Sequence, residues 1–211
     1  MSEAAGADPA CPLCGGALYG WLTLPDATAR ATVGRPVESA GAVLDRCERC
    51  GAGVERGAEG VDLEAEAAAL EVPGRSELAA PNRGSVQAAI GGEGWSAIDE
   101  RAGHLLLTPE SMRRLCERTG RRAPRMRSRR AGRNQRWMWQ TLMNGLTFHP
   151  NFAREVRAGR LRSSSARGPL TFGIDCVVTV LAAPLVLLIS VPLELAAALA
   201  GRGGELVAEL D

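Results

Sequence analysis

Four of the six cysteines stand in two matched units, Cys11-Pro12-Leu13-Cys14-Gly15 and Cys47-Glu48-Arg49-Cys50-Gly51. Two residues between thiolates let one tight turn aim both sulfurs at a common point. The glycine that follows permits the positive φ and close backbone approach such a turn needs. Two turns supply four sulfurs, the closed tetrahedral set of a structural zinc ion, with no position left open for water. The same spacing could serve two disulfides or two redox pairs. Disulfides go with export, and the stretch Met1–Ala10 is acidic and lacks the basic-then-apolar pattern of a secretory signal. A redox pair needs a thioredoxin-like βαβ setting, which the flanking sequence does not offer. Zinc held by Cys11, Cys14, Cys47 and Cys50 is therefore the expectation. Cys116 and Cys176 each stand alone on an apolar face or run and are read as inert buried thiols.

Two knuckles must be held face to face by something between them. The 32 intervening residues include the extended stretches Ala31-Thr32-Val33 and Ala42-Val43-Leu44, enough for a small sheet, so residues 1–57 resemble a zinc ribbon. Residues 58–136 form the next segment, opening with a Gly-containing linker and a short Ala/Glu helix over 58–70. Its best-marked helix starts at Thr108-Pro109-Glu110-Ser111, a cap followed by proline in the first turn, and stops at Gly120. Residues 137–211 make the third segment, with an amphipathic helix, a long apolar run and a closing strand. The expected fold class is α+β.

The middle segment carries an ordered set of motifs. Leu70-Glu71-Val72-Pro73-Gly74 leads to Leu78, then Pro81-Asn82-Arg83-Gly84-Ser85, Gly91-Gly92-Glu93-Gly94-Trp95, His104 and the capped helix from Thr108. In that order they resemble the C-terminal third of class I S-adenosylmethionine-dependent methyltransferases, including those with a zinc ribbon in front. The resemblance implies a fifth strand after the Pro-Gly turn, a sixth near Ala123–Arg129, and a closing strand within Gly201–Leu210. It would place Trp95 and His104 on the substrate side. The cofactor-binding half, which occupies about a hundred residues in a Rossmann-type domain, has no room between the ribbon and the fifth strand. Gly91–Gly94 follows no convincing strand and leads into Trp95, not a helix. S-adenosylmethionine is therefore not expected to bind, Trp95 and His104 are expected to pack structurally, and no catalytic residue is assigned. His149, before Pro150, reads as a loop residue.

From Cys176 to Leu193 no residue is charged, and Pro184 and Pro192 interrupt the run. Eighteen residues rise about 27 Å as a helix, close to the thickness of a hydrocarbon core. A spanning helix, a kinked or re-entrant insertion, and a buried soluble helix all fit that length. Only a re-entrant or in-plane insertion also returns residues 201–210 to the fold as a strand, and this is the preferred reading. Arg154, Arg157, Arg160, Arg162 and Arg167 precede the run and Arg202 alone follows it, which puts the preceding side in the cytoplasm. Trp139, Leu142, Met143 and Leu146 share a helical face; with Trp137 they suit a helix at headgroup level or one packed on the core.

Charge is distributed unevenly. The chain carries 25 basic residues, all arginine, against 24 acids; residues 1–100 have a net of −9, residues 101–170 a net of +14, and residues 171–211 a net of −4. So basic a centre favours a polyanionic partner. Three functions follow as expectations. The first is a zinc-binding, non-catalytic protein at the inner face of a membrane, against anionic lipid. The second is a nucleic-acid-binding module using Arg121–Arg136 with Trp137 and Trp139. The third is one subunit of a split methyltransferase, completed by a protein partner that supplies the cofactor-binding half.

Overall fold

The computed structural model describes residues 9–23, 43–58, 60–123, 125–161 and 168–211. The stretch Ala31–Val33, expected to be extended, lies outside them, as do Ala42, Arg162 and Arg167. Among the described residues the chain is α+β, with six α-helices and two antiparallel sheets. The first sheet has the order β1 (Leu18–Thr23), β2 (Val43–Cys47), β3 (Gly53–Glu55), β5 (Leu105–Leu106). The second has the order β4 (Glu77–Pro81), β7 (Glu205–Glu209), β6 (Arg125–Ser128), with β7 antiparallel to both neighbours. Strands thus stand where they were expected near Leu78, within 123–129 and within 201–210. On β6, Arg125 and Arg127 point outward while Met126 and Ser128 are half-buried.

Helices fill the intervals. Asp62 caps α1 (Leu63–Ala69), and Ser85 caps the short α2 (Val86–Gly91). On α3 (Pro109–Arg118), the Thr108 Oγ1 accepts from the Ser111 amide and the Ser111 Oγ accepts from the Thr108 amide at 2.7 Å. Its far end closes as a Schellman turn, with Gly120 at φ +63° and the Arg121 amide donating to Cys116. After α4 (Arg133–Asn144) and α5 (Phe152–Arg157) comes α6 (Pro169–Leu199), 31 residues and the longest element.

The three sequence segments do not each fold around their own centre. One core joins Cys11, Leu13 and Cys47 to Leu78, Leu107, Met112, Leu115, Leu206 and Ala208. A second packs Leu44 and Leu106 against Trp95, Ile98 and Trp137. The two-residue strand β5 extends the ribbon sheet from within residues 58–136, and a parallel bridge from Asn82 to Leu107 links the sheets. The free edge of β4 is covered: Ala79 donates to the Leu70 carbonyl and Val72 to the Glu77 carbonyl, each at 2.9 Å.

Three expectations change here. Pro184 and Pro192 do not break the apolar run, which continues as one helix through both. Each proline removes one backbone donor, and both lie on the exposed side of the helix. Beside Pro184, the Trp139 indole donates to the Ala183 carbonyl at 3.2 Å, and Ser190 donates to Leu187 near Pro192. Trp137 is wholly buried, so it belongs to the core and faces neither headgroups nor bases. His149 does sit in a loop, but buried, with its Nδ1 2.7 Å from Asp175.

The turn before β7 is closely packed. Asn82 donates through Nδ2 to the Gly203 carbonyl at 2.9 Å, and the Asn82 amide donates to Gly204 at 2.8 Å. A Cβ on Gly204 would stand 2.2 Å from the Gln87 amide nitrogen, inside any contact distance. Gly204→Ala is therefore expected to cost about 1–3 kcal/mol by overpacking, a drop of roughly 3–10 °C in melting temperature for a chain of this size. A variant melting within a degree of the parent would show that the turn is looser than described.

Candidate metal centre

Each knuckle is built by the same pair of backbone bonds. Gly15 donates to the Cys11 carbonyl and Gly51 to the Cys47 carbonyl, at 2.8 and 3.1 Å. The Cys11 amide donates across its turn to Gly16, and the Cys47 amide to Ala52, both at 2.9 Å. Gly15 and Gly51 have φ of +67° and +70°, a conformation that side chains resist. Gly16 is required for a different reason: a Cβ there would meet the Cys47 sulfur at 3.0 Å and the Cys14 sulfur at 3.4 Å.

These turns bring the four expected sulfurs together. All lie within 4.8 Å of one another, with Cys11 to Cys50 at 3.7 Å and Cys14 to Cys47 at 3.5 Å. A zinc ion with bonds of about 2.3 Å needs tetrahedral edges of about 3.8 Å, so the cluster is near the required size. Disulfides would need sulfurs at about 2.05 Å, and all six cysteines are free. The short contacts run between knuckles, so the ion would bind the two turns to each other.

The electrostatics favour a cation. Cys11, Cys47 and Cys50 are buried and Cys14 is half-buried. The hydrogen bond from Cys50 brings the Cys11 thiol down to about 5, against the opposing effect of burial. The same contact, together with burial, pushes Cys50 upward, and burial pushes Cys14 upward. Without metal the group can carry little negative charge; a divalent ion removes that restriction. Around the sulfurs, Arg49 donates to the Cys14 carbonyl at 3.1 Å and Thr108, the cap of α3, donates to the Cys50 carbonyl at 2.8 Å. The second knuckle is thereby tied to the start of α3.

The other residues singled out by sequence go elsewhere. Trp95 is buried in the second core. His104 places Nδ1 3.0 Å from Glu55 and gives its amide to Glu66, beside a cleft of about 500 Å³ lined by Glu55, Asp62 and Glu66. Burial opposes ionisation of Glu55, but Arg101 and His104 outweigh it and hold the carboxyl below its usual range. Cys116 is buried, as expected, and burial raises its thiol; Cys176 is only half-buried.

The basic segment largely meets the chain's own acids. Arg121 pairs with Glu64 and Glu71, Arg127 with Glu77 and Glu209, and Arg133 with Glu205. Arg136 reaches Glu100, Arg154 reaches Asp99, and Arg160 reaches Glu155. Surplus on one segment balances deficit on the others, so regional net charge overstates what a partner would meet.

Two carboxylates that flank the apolar run, Asp175 and Glu194, are wholly buried and accept several hydrogen bonds each. The signal was present as acids placed at either end of an otherwise uncharged helix. Compared with known protein families, with curated proteins and with solved structures, the chain gives no match.

The purified chain is expected to hold one zinc per molecule by elemental analysis. Because Cys14 and Cys50 are held above the ordinary thiol range, both must give up protons on binding, so affinity falls as pH falls and uptake acidifies a weakly buffered solution. A Cys50→Ser variant with unchanged stoichiometry and melting temperature would contradict the assignment.

Proposed function

We propose that the chain is a zinc-stabilised protein that lies on a membrane surface, anchored by α6, and performs no methyl transfer of its own. The observation that carries this reading is a reversal of sidedness in α6. Its inward stripe holds Asp175, Ser190 and Glu194, all wholly buried, with the small residues Ala197 and Ala198. Its outward face holds Val180, Leu181, Leu185 and Leu188, each more than 60% exposed. Only 11% of the helix's most apolar 18 residues are buried. A helix in water turns its apolar stripe to the core; polar groups inward and aliphatic groups outward is the order that a hydrocarbon surrounding requires.

Both ends of α6 are tied to one body. Asp175 accepts the amides of Phe148 and His149, and Glu194 accepts from Gln87, Asn134 and the Gly204 amide. At 31 residues the helix is about 46 Å long, well beyond the roughly 30 Å of a hydrocarbon core. A spanning orientation would carry β7 away from β4 and β6. An in-plane orientation leaves the sheet intact and sets a dozen exposed large aliphatic side chains against acyl chains, on the order of 10 kcal/mol of burial. Phe148, whose amide bonds to Asp175, and nearby Leu146 are exposed as well. We place the arginine-bearing body on the cytoplasmic side, with zinc closing the ribbon as a structural ion.

The methyltransferase resemblance enters as ancestry. Support for it lies in the strands at Glu77–Pro81, Arg125–Ser128 and Glu205–Glu209 and in their pairing as one sheet. Completion by a second chain is disfavoured because the outer edge of β4 is already taken by Leu70–Val72. Nucleic-acid binding through Arg121–Arg136 loses Trp137 to the core and several arginines to internal carboxylates.

The test is flotation with phospholipid vesicles. The chain is expected to float with them and to stay bound in 1 M salt, which screens charge within about 3 Å. Replacing Leu181 and Leu188 by Asp is expected to lower partitioning about tenfold or more, with zinc content unchanged. Release by salt alone, or equal binding by the double variant, would refute the anchor.

A further inference from the structure

Most arginines that come near the core meet a carboxylate; Arg83 meets none among the described residues. Its guanidinium lies 4.2 Å over the ring of Trp21, and its Nε is buried without a hydrogen-bond partner. Burial, and after it the charge of Arg46, bring its pKa down to about 10. An uncompensated charge in such a place is costly unless something arrives to pair with it.

The backbone there is held firmly. Arg83 donates its amide to the Leu107 carbonyl at 2.7 Å, and the Gly84 amide donates to Asn82 Oδ1 at 2.9 Å. The Arg83 side chain reaches toward the second knuckle, where a Cβ on Gly51 would stand 3.8 Å from its Nη1. Arg46 precedes Cys47 on β2 and pairs directly with Tyr19 on β1, and Tyr19 is half exposed. Trp21, at the bulge in β1, has its ring edge over Gly53, where a Cβ would come within 3.2 Å. Glycine at 53 leaves the indole free to lie flat under Arg83.

Arg46 stands opposite Gly53 in the β2–β3 register, and the Trp21 ring lies against Gly53, so two arginines flank one aromatic floor; such a pair suits a tetrahedral oxyanion. It would accept from the outer guanidinium N–H groups of the two side chains and neutralise their charge. We propose that Arg46 and Arg83, with Trp21 as the floor, bind a phosphate group. That phosphate is either the headgroup of an anionic lipid or a free phosphate. The site stands on different residues from α6 and does not rest on the membrane reading.

The experiment uses the full zinc-loaded chain in zwitterionic detergent, with inorganic phosphate and soluble short-chain phosphatidic acid as probes. Arginine Nε–H resonances and the melting temperature are followed. Phosphate is expected to move the Arg83 and Arg46 signals and to raise the melting temperature. Arg83→Met is expected to weaken this binding about tenfold or more. Arg46→Gln, at an exposed strand position, gives the same test should the first variant fold poorly. A stronger response to phosphatidic acid assigns a lipid headgroup, and an equal or stronger response to inorganic phosphate assigns a free phosphate. Silence of both arginines at millimolar probe, shifts that persist in the variants, or binding of a ten-nucleotide DNA strand alone would overturn the site.

Discussion

Glu194 has no contact with water, and its carboxylate takes hydrogens from Gln87 at 2.6 Å, Asn134 at 2.8 Å and the Gly204 amide at 2.8 Å. Those donors belong to α2, α4 and the turn into β7, so one side chain joins the outermost helix to three other elements. Buried carboxylates need such donors, because desolvation without them costs several kcal/mol. Once Glu194 is committed inward, the 3.6-residue repeat commits the neighbouring positions too. Ser190 and Val186 follow it toward α4, and Leu181, Leu185 and Leu188 are left facing away. The outward apolar face of α6 is thus a consequence of polar anchoring on the inward one.

The cysteine cluster plays a similar part for the two knuckles. Residues beside the sulfurs share a core with both sheets, and Thr108 carries the tie onward into α3. With only 4% aromatic residues, the chain has few large side chains to spend on a core. A metal linking the two turns would offset that shortage, since its binding energy is available only in the folded arrangement. The two constraints differ in kind: four converging sulfurs suited to a cation at the knuckles, a carboxylate with neutral donors under α6.

Local signals carried much of this. Spacing alone located the four cysteines that converge, because a Cys-x-x-Cys-Gly turn is determined by residues within a few positions. Thr108, Ser111 and Gly120 marked α3 at both ends for the same reason, and the closing strand lies inside the expected 201–210. What escaped detection depends on distant partners. Leu105–Leu106 is too short to show alternation, and it is a strand only because β3 offers an edge. Trp137 looked like an interfacial residue until the second core closed around it. Regional charge does not show internal pairing, since pairs such as Arg133 with Glu205 join residues 72 positions apart. The prolines suggested breaks since sequence cannot show that both fall on the exposed side of one helix.

The sidedness of α6 can be measured directly. Nitroxide labels placed one at a time from position 177 to 195, in a chain lacking Cys116 and Cys176 and reconstituted in bilayer discs, report oxygen and water-soluble nickel access at each site. Labels at Leu181, Leu185 and Leu188 are expected to be open to oxygen and closed to nickel, those at Val186 and Ser190 closed to both, with depth nearly constant along the helix. Nickel access on the outward face would mean that α6 faces water or protein, and depth changing steadily from one end to the other would mean that it crosses the bilayer.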